Sequence, residues 1–150
     1  MILLVCGSRQ WWDVDTARSA LRFELDAFLH DPTVDHPRGV FEVVHGAARG
    51  ADTIIDQVMR ELQIEFAPLV EIVVTPVDAD WDRYPDAAGP IRNRQMLREH
   101  RPDRGLALMR MDLPCTGTKD MRDLMLKAGI PVTVVPGFAP QEPNLFGGIQ

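Results

Sequence analysis

The sequence predicts a Rossmann-like α/β domain with three layers and a mostly parallel sheet of about five strands. Short apolar segments alternate along the chain with longer segments whose apolar residues recur at helical spacing. This alternation is typical of parallel strands joined by right-handed crossovers, with helices on both faces of the sheet. The strand segments are continuously apolar, as expected for strands that are buried on both faces. A chain of 150 residues fits one such domain.

The first half of the chain predicts two strand-helix units. An apolar run at residues 2–6 ends at a glycine and predicts the first strand. Asp13 or Asp15 is suited to cap the helix that follows, which extends to about residue 30. Residues 40–44 predict a second buried strand, and a helix begins near Gly50. The apolar stripe of this second helix consists of Ile54, Ile55, Val58, Met59 and Leu62.

The second half repeats the pattern. The β-branched run at 70–75 predicts a third strand, and residues 76–89, which are rich in Asp and Pro, predict a long loop. A helix from about residue 90 to residue 100 follows, because Pro90 suits the first turn of a helix. Residues 106–109 predict a fourth strand, 118–128 a helix that Gly129 stops, and 131–135 a fifth strand. We therefore expect a domain at 1–135 and a tail at 136–150 that is rich in Pro and Gly.

Composition excludes several classes of protein. No apolar run is long enough for a membrane span, and the first residues lack the basic region of a secretory signal. Two cysteines make neither a disulfide framework nor a metal cluster, and they fit a cytoplasmic location. The net charge of −6 argues against a duplex-DNA binder, although it leaves room for a local basic patch. The sequence indicates no metal and no cofactor.

Glycine-bearing polar segments follow the predicted strands, at the edge where ligands bind in parallel α/β sheets. In the segment His45-Gly46-Ala47-Ala48-Arg49-Gly50-Ala51-Asp52, glycines permit close backbone approach, and the next helix offers its N–H groups to a phosphate. Arg49 would add a bidentate contact. The alternative is an ordinary turn in which Arg49 is solvated and Asp52 serves the helix terminus.

Three other segments repeat this logic. Gly7-Ser8-Arg9 follows the first strand, where Ser8 and Arg9 either bind an anion or form a plain turn. Arg92 and Asn93 fall in the first turn of a helix, where a cation is unusual. Either a bound anion or one of the loop residues Asp80, Asp82 and Asp86 would compensate the charge of Arg92. Gly117-Thr118 precedes the fourth helix, where Thr118 is either an N-cap or part of a phosphate site. Trp81 lies in a loop, where its ring either stacks on a base or covers the core.

These segments, in this order, resemble the YspA-type (YpsA-related) branch of the SLOG superfamily, whose other members include cytokinin-activating phosphoribohydrolases and the DNA-uptake protein DprA. The resemblance covers residues 1–135 and rests above all on HGAARGAD at 45–52 and AGPIRN at 88–93. It implies a Rossmann-like fold and a nucleotide or nucleotide-sugar ligand. The residues that it places at the ligand are Gly7, Ser8, Arg9, Gly46, Arg49, Gly50, Asp52, Arg92, Asn93, Gly117 and Thr118.

The chain departs from this pattern at two positions. Ala47 stands where relatives often have a second glycine. Met121 stands where the phosphoribohydrolases have a glutamate, three residues after the threonine. The adjacent Asp120 points about 100° away around a helix, so the obvious catalytic carboxylate is missing. Asp52, Asp80 and Asp120 are the remaining candidates for catalysis.

Three functions follow as hypotheses. The first is binding or sensing of a nucleotide-derived, phosphate-bearing small molecule. The second is hydrolysis or transfer at the N-glycosidic bond of a nucleotide, which needs a carboxylate near the anomeric carbon. The third is a module that binds single-stranded nucleic acid or a protein. We also expect that the tail is held either by a partner subunit, in a homodimer or higher homo-oligomer, or by its own domain.

Overall fold

The computed structural model describes residues 1–34 and 39–142. Within them, five strands alternate with four helices. The strands are β1 (Ile2–Gly7), β2 (Val40–His45), β3 (Glu71–Pro76), β4 (Arg104–Arg110) and β5 (Val132–Gly137). The helices are α1 (Val14–Leu29), α2 (Ala51–Phe66), α3 (Ala88–His100) and α4 (Thr116–Lys127). The predicted alternation is confirmed.

All strand pairs in the sheet are parallel, and the strand order is β3-β2-β1-β4-β5. The chain builds outward from β1 to β3, and then crosses to the other side of β1 for β4 and β5. The order therefore reverses between β1 and β4, where a crevice opens beyond the strand ends. The predicted Rossmann-like fold is confirmed.

The central strand β1 shows why the sheet is buried on both faces. Leu3 and Val5 belong to the core beneath α1 and α2, whereas Leu4 and Cys6 belong to a second core that includes residues of α3 and α4. Alternate residues of a strand point to opposite faces. Each apolar residue of β1 thus has a helix layer to pack on, which explains the uninterrupted apolar run.

Helix starts are where the sequence-based prediction was wrong. Helix α3 begins at Ala88 rather than at Pro90, and α4 begins at Thr116 rather than at Thr118. Thr118 is therefore the third residue of its helix and not the N-cap. The cap position is occupied by Cys115, which has a left-handed backbone (φ 47°) and no side-chain cap bond.

The fifth strand ends later than predicted. Strand β5 continues through Pro136 and Gly137, beyond the predicted strand at 131–135. Trp12 fixes the chain just beyond, because its Nε1 donates to the Phe138 carbonyl at 2.8 Å. The remainder of the predicted tail, residues 143–150, lies outside the described residues. In the described part of the chain, no helix combines the length and the apolarity of a transmembrane span.

Candidate functional site

A cavity of about 570 Å³ opens at the carboxyl ends of β1 and β4, where the strand order reverses. Its volume is within the range of small-molecule pockets. The loop after β1, the start of α2, the start of α3 and the start of α4 form its walls. We call this cavity the switch-point pocket.

Most of the predicted ligand-binding residues are brought together here. Those that line the pocket are Gly7, Ser8, Arg9, Gly46, Asp52, Trp81, Arg92, Asn93, Gly117 and Thr118. Of the three candidate catalytic carboxylates, Asp52 and Asp120 line the pocket and Asp80 does not.

Arg49 and Gly50 are the two predicted residues outside the lining. The Arg49 side chain is exposed on the loop before α2. Gly50 has a conformational role instead: its φ is +76°, and a Cβ there would lie 2.2 Å from the Arg9 carbonyl oxygen. The preceding Ala47 also has a left-handed backbone (φ 53°), a conformation that glycine adopts more readily.

Three helices begin at the pocket wall. Helix α1, which begins elsewhere, has a side-chain N-cap, since Asp13 accepts from Thr16 N at 3.0 Å. By contrast, α2, α3 and α4 have no side-chain cap bond, and α3 and α4 carry no acid in their first turns. Backbone carbonyls accept the first N–H of α2 and of α3, since Ala51 N donates to Ser8 O at 3.0 Å and Ala88 N to Tyr84 O at 2.9 Å. The positive dipole ends of the three helices, together with the N–H groups at the start of α4, form a site for an anion.

Arg92 extends from α3 along the loop after β2. Its Nη1 donates to the Gly46 carbonyl, and its Nε donates to Asn93 Oδ1 at 3.3 Å. No salt bridge joins it to an acid among residues 1–34 and 39–142, so the expected pairing with Asp80, Asp82 or Asp86 is not found. Burial lowers the pKa of Arg92, and the nearby Asp52 only partly opposes this shift. A half-buried cation without a salt bridge adds to the anion-binding character of the pocket.

Asp52 is the second residue of α2 and is only 5% exposed. One carboxylate oxygen, Oδ2, accepts from Ala48 N at 3.1 Å. The other, Oδ1, has no hydrogen-bond partner among the described residues. Burial raises the pKa of Asp52, while the Ala48 bond, the nearby His45 and Arg92, and the neighbouring Gly46 N–H lower it in part. The sequence analysis placed Asp52 at the ligand but had no signal for this unpaired oxygen.

Asp120, one of the candidate catalytic carboxylates, lies on the wall of the pocket near the start of α4. Met121 is fully buried in the core between the sheet and α4, whereas Asp120 lines the pocket. Asn93 holds the carboxylate, because its Nδ2 donates to Asp120 Oδ2 at 3.1 Å and to the Gly117 carbonyl at 3.4 Å. The step of about 100° between adjacent helical residues therefore turns Asp120 toward the pocket.

An aromatic ring stands at the rim. The Trp81 side chain is 47% exposed, and the Arg9 guanidinium carbon lies 5.7 Å from its ring centroid. This distance is within the range of a cation–π contact. Trp11, by contrast, is 3% exposed and belongs to the core. Among the loop tryptophans, Trp81 is thus the one that lines the pocket.

The residues that hold the pocket loops in place were not predicted from the sequence. Arg110, at the end of β4, donates to both carboxylate oxygens of Asp112 at 2.7 and 2.6 Å, and to the Gln10 carbonyl at 2.8 Å. These bonds join the loop after β1 to the loop after β4. Gln10 and Cys115 then contribute to the lining. The signal in the sequence was the spacing of two residues between Arg110 and Asp112, because a turn between them brings the carboxylate back to the guanidinium.

Comparison with known proteins gave one informative match. No protein-family model matches the chain, and no solved structure does. The Gene 61 protein of Mycobacterium phage D29 is 36% identical over 99 residues, which are 64% of this chain and 67% of that protein. The chain therefore belongs to the same family as the Gene 61 protein of Mycobacterium phage D29.

Proposed function

We propose that the switch-point pocket binds a nucleotide-derived small molecule through its phosphate. The observation that carries this proposal is the convergence of three helix N-termini without side-chain caps on one cavity that also contains Arg92. A positive dipole end and an arginine both favour a negative charge, and a phosphate supplies it. The resemblance to the SLOG superfamily supports the same class of ligand.

The phosphate fits best at the starts of α3 and α4. Neither helix has an acidic residue in its first turn, whereas α2 has Asp52 there. Arg92 and the exposed Arg9 line the same cavity and supply positive charge. A mixed set of two arginines and two carboxylates suits a sugar phosphate better than a long polyanion.

The rim suits a base. Trp81 exposes about half of its side chain beside the pocket, and a nucleobase has the planar face that stacks on such a ring. A ligand that joins a phosphate to a base through a sugar would contact the helix starts, the carboxylates and the ring together. The cavity volume accommodates a ligand of this size.

Arg92→Met tests the phosphate site, because it removes the cation and keeps much of the side-chain stem. We expect wild-type protein to bind AMP, measured by calorimetry, and the variant to bind it roughly 10- to 100-fold more weakly, as expected for loss of a charged hydrogen bond. Arg94→Met is the matched control, since Arg94 is exposed on the same helix and bonds the Pro90 carbonyl of its own turn. Equal affinities of the two variants would contradict the phosphate role of Arg92.

A second candidate function is hydrolysis of the N-glycosidic bond of the bound nucleotide, favoured by Asp120. This carboxylate lies in the pocket wall and is oriented by Asn93. It would stabilise positive charge at the anomeric carbon while water adds there and the base leaves with a proton. Mass spectrometry of AMP recovered from the binding experiment separates the two functions: intact AMP indicates binding alone, and adenine with ribose 5-phosphate indicates hydrolysis.

Two further expectations stay predictions. A cytoplasmic location would keep the free thiols of Cys6 and Cys115 reduced. Interaction with single-stranded nucleic acid remains the third hypothesis.

A further inference from the structure

The buried oxygen Asp52 Oδ1 requires a partner that the described residues do not supply. Within residues 1–34 and 39–142, it is the buried side-chain polar atom left without a hydrogen bond. An unpaired polar atom in a buried position costs free energy, and natural structures contain few of them. The oxygen itself is covered in this structure, but Asp52 lines the switch-point pocket, so a ligand donor that enters beside it would become its partner.

The chemistry of Asp52 restricts what that ligand group is. Ala48 N already donates to Oδ2, and this bond fixes the orientation of the carboxylate. A carboxylate oxygen accepts hydrogen bonds and repels anions, so a phosphate is excluded from this position. The group that meets Oδ1 must therefore be a donor, either a hydroxyl or an amine.

The donor subsite lies at the start of α2, whereas the phosphate subsite lies at the starts of α3 and α4. The uncapped starts of α3 and α4 carry no acid, whereas Asp52 lies in the first turn of α2, on the other side of the sheet. One ligand that satisfies both subsites carries a phosphate and, a short distance away, a hydroxyl. A ribose phosphate has this arrangement.

We propose that Asp52 reads a hydroxyl of the ribose diol, so that the pocket selects ribonucleotides over deoxyribonucleotides. This inference rests on the proposed phosphate-binding function and adds the class of sugar to it. A deoxy ligand would leave the buried carboxylate unpaired. A site built to hydrogen-bond a hydroxyl rejects the analogue that lacks it for this reason.

The test compares AMP with 2′-deoxy-AMP and 3′-deoxy-AMP by calorimetry, on wild-type protein and on Asp52→Asn. We expect wild-type protein to bind AMP roughly 10- to 100-fold more tightly than at least one of the deoxy forms. In Asp52→Asn the charged acceptor is lost, and this preference should fall at least several-fold. Asp56→Asn is the matched control, because Asp56 lies one turn along α2, outside the pocket, and bonds Arg60 and His45. It should keep the wild-type preference.

The outcomes separate the two proposals. If wild-type protein binds AMP and both deoxy forms equally, the ribose inference is wrong and the phosphate proposal stands. A preference for AMP that survives in Asp52→Asn also overturns the inference, because another group then reads the hydroxyl. If no nucleotide binds to wild-type protein, the proposed function fails and the inference fails with it. Should Asp52→Asn not fold, as judged by its thermal unfolding, the wild-type deoxy series decides alone.

Discussion

Gly46 sets the position of the Arg92 guanidinium. A Cβ at Gly46 would lie 2.6 Å from Arg92 Cζ, and the Gly46 carbonyl accepts the Arg92 Nη1 hydrogen bond. The guanidinium is the mobile end of a long side chain, so a methyl group at residue 46 displaces it rather than the backbone. At the scale of single residues, this glycine therefore acts on the ligand through its neighbour.

Gly46→Ala should weaken AMP binding almost as much as Arg92→Met does, while the free energy of unfolding falls by less than about 1 kcal/mol. The double variant supplies the control. Because both changes remove the same guanidinium from the same place, the double variant should bind AMP no more weakly than Arg92→Met alone. Additive losses in calorimetry would show that Gly46 acts on the ligand by some other route.

At the scale of elements, one ion pair joins α1 to the far half of the sheet. Glu24 of α1 is 1% exposed and accepts from Arg104 Nε at 3.0 Å, at the start of β4. Thr133 of β5 donates to the same carboxylate at 3.5 Å. A buried carboxylate that loses its cation is left uncompensated in a medium of low dielectric constant.

Arg104→Met should lower the free energy of unfolding by on the order of 3 kcal/mol, the lower end of the range for buried pairs, because the Arg104 side chain is itself 40% exposed. Arg18→Met is the comparison, since its partners Asp15 and Glu61 are exposed, and it should cost about 1 kcal/mol or less. Urea denaturation of both variants measures the difference. Equal losses would mean that the burial of Glu24 adds nothing to the strength of its pair.

The elements also show which boundaries a sequence can reveal. Helix α1 begins after Asp13, one of the two caps that the sequence offered, because a side-chain cap leaves a signal in the sequence. Helices α3 and α4 follow Ala87 and Cys115, whose side chains make no cap bond, so their starts were predicted two residues late. At α4, the same lack of a side-chain cap that concealed the helix start leaves first-turn N–H groups available to a ligand.

At the scale of the whole molecule, the sequence predicted the layers and most of the pocket but not the strand order. Parallel strands pair through backbone hydrogen bonds, which carry no residue-specific record of the neighbour. The glycine-bearing segments could still be assigned to one edge, because the carboxyl ends of all parallel strands meet there. What the sequence did not reveal was the direction of side chains, as with Asp120, and long-range contacts such as that of Arg110 with the Gln10 carbonyl.

The homodimer, which the described residues do not test, stays a prediction that light scattering can check.

The pocket joins both helix layers, and this predicts how the molecule responds to a ligand. Its walls come from α2 on one face of the sheet and from α3 and α4 on the other. A ligand that contacts all three helix starts should slow amide hydrogen exchange at residues 7–10, 46–52, 88–93 and 115–118 together. At 100 times its dissociation constant it should also add about 2.7 kcal/mol to the free energy of unfolding. Hydrogen exchange with AMP at that concentration, compared with adenosine as the control without phosphate, measures both effects. Protection confined to the α2 segment would place the ligand away from α3 and α4, and it would contradict a phosphate site at the starts of those two helices.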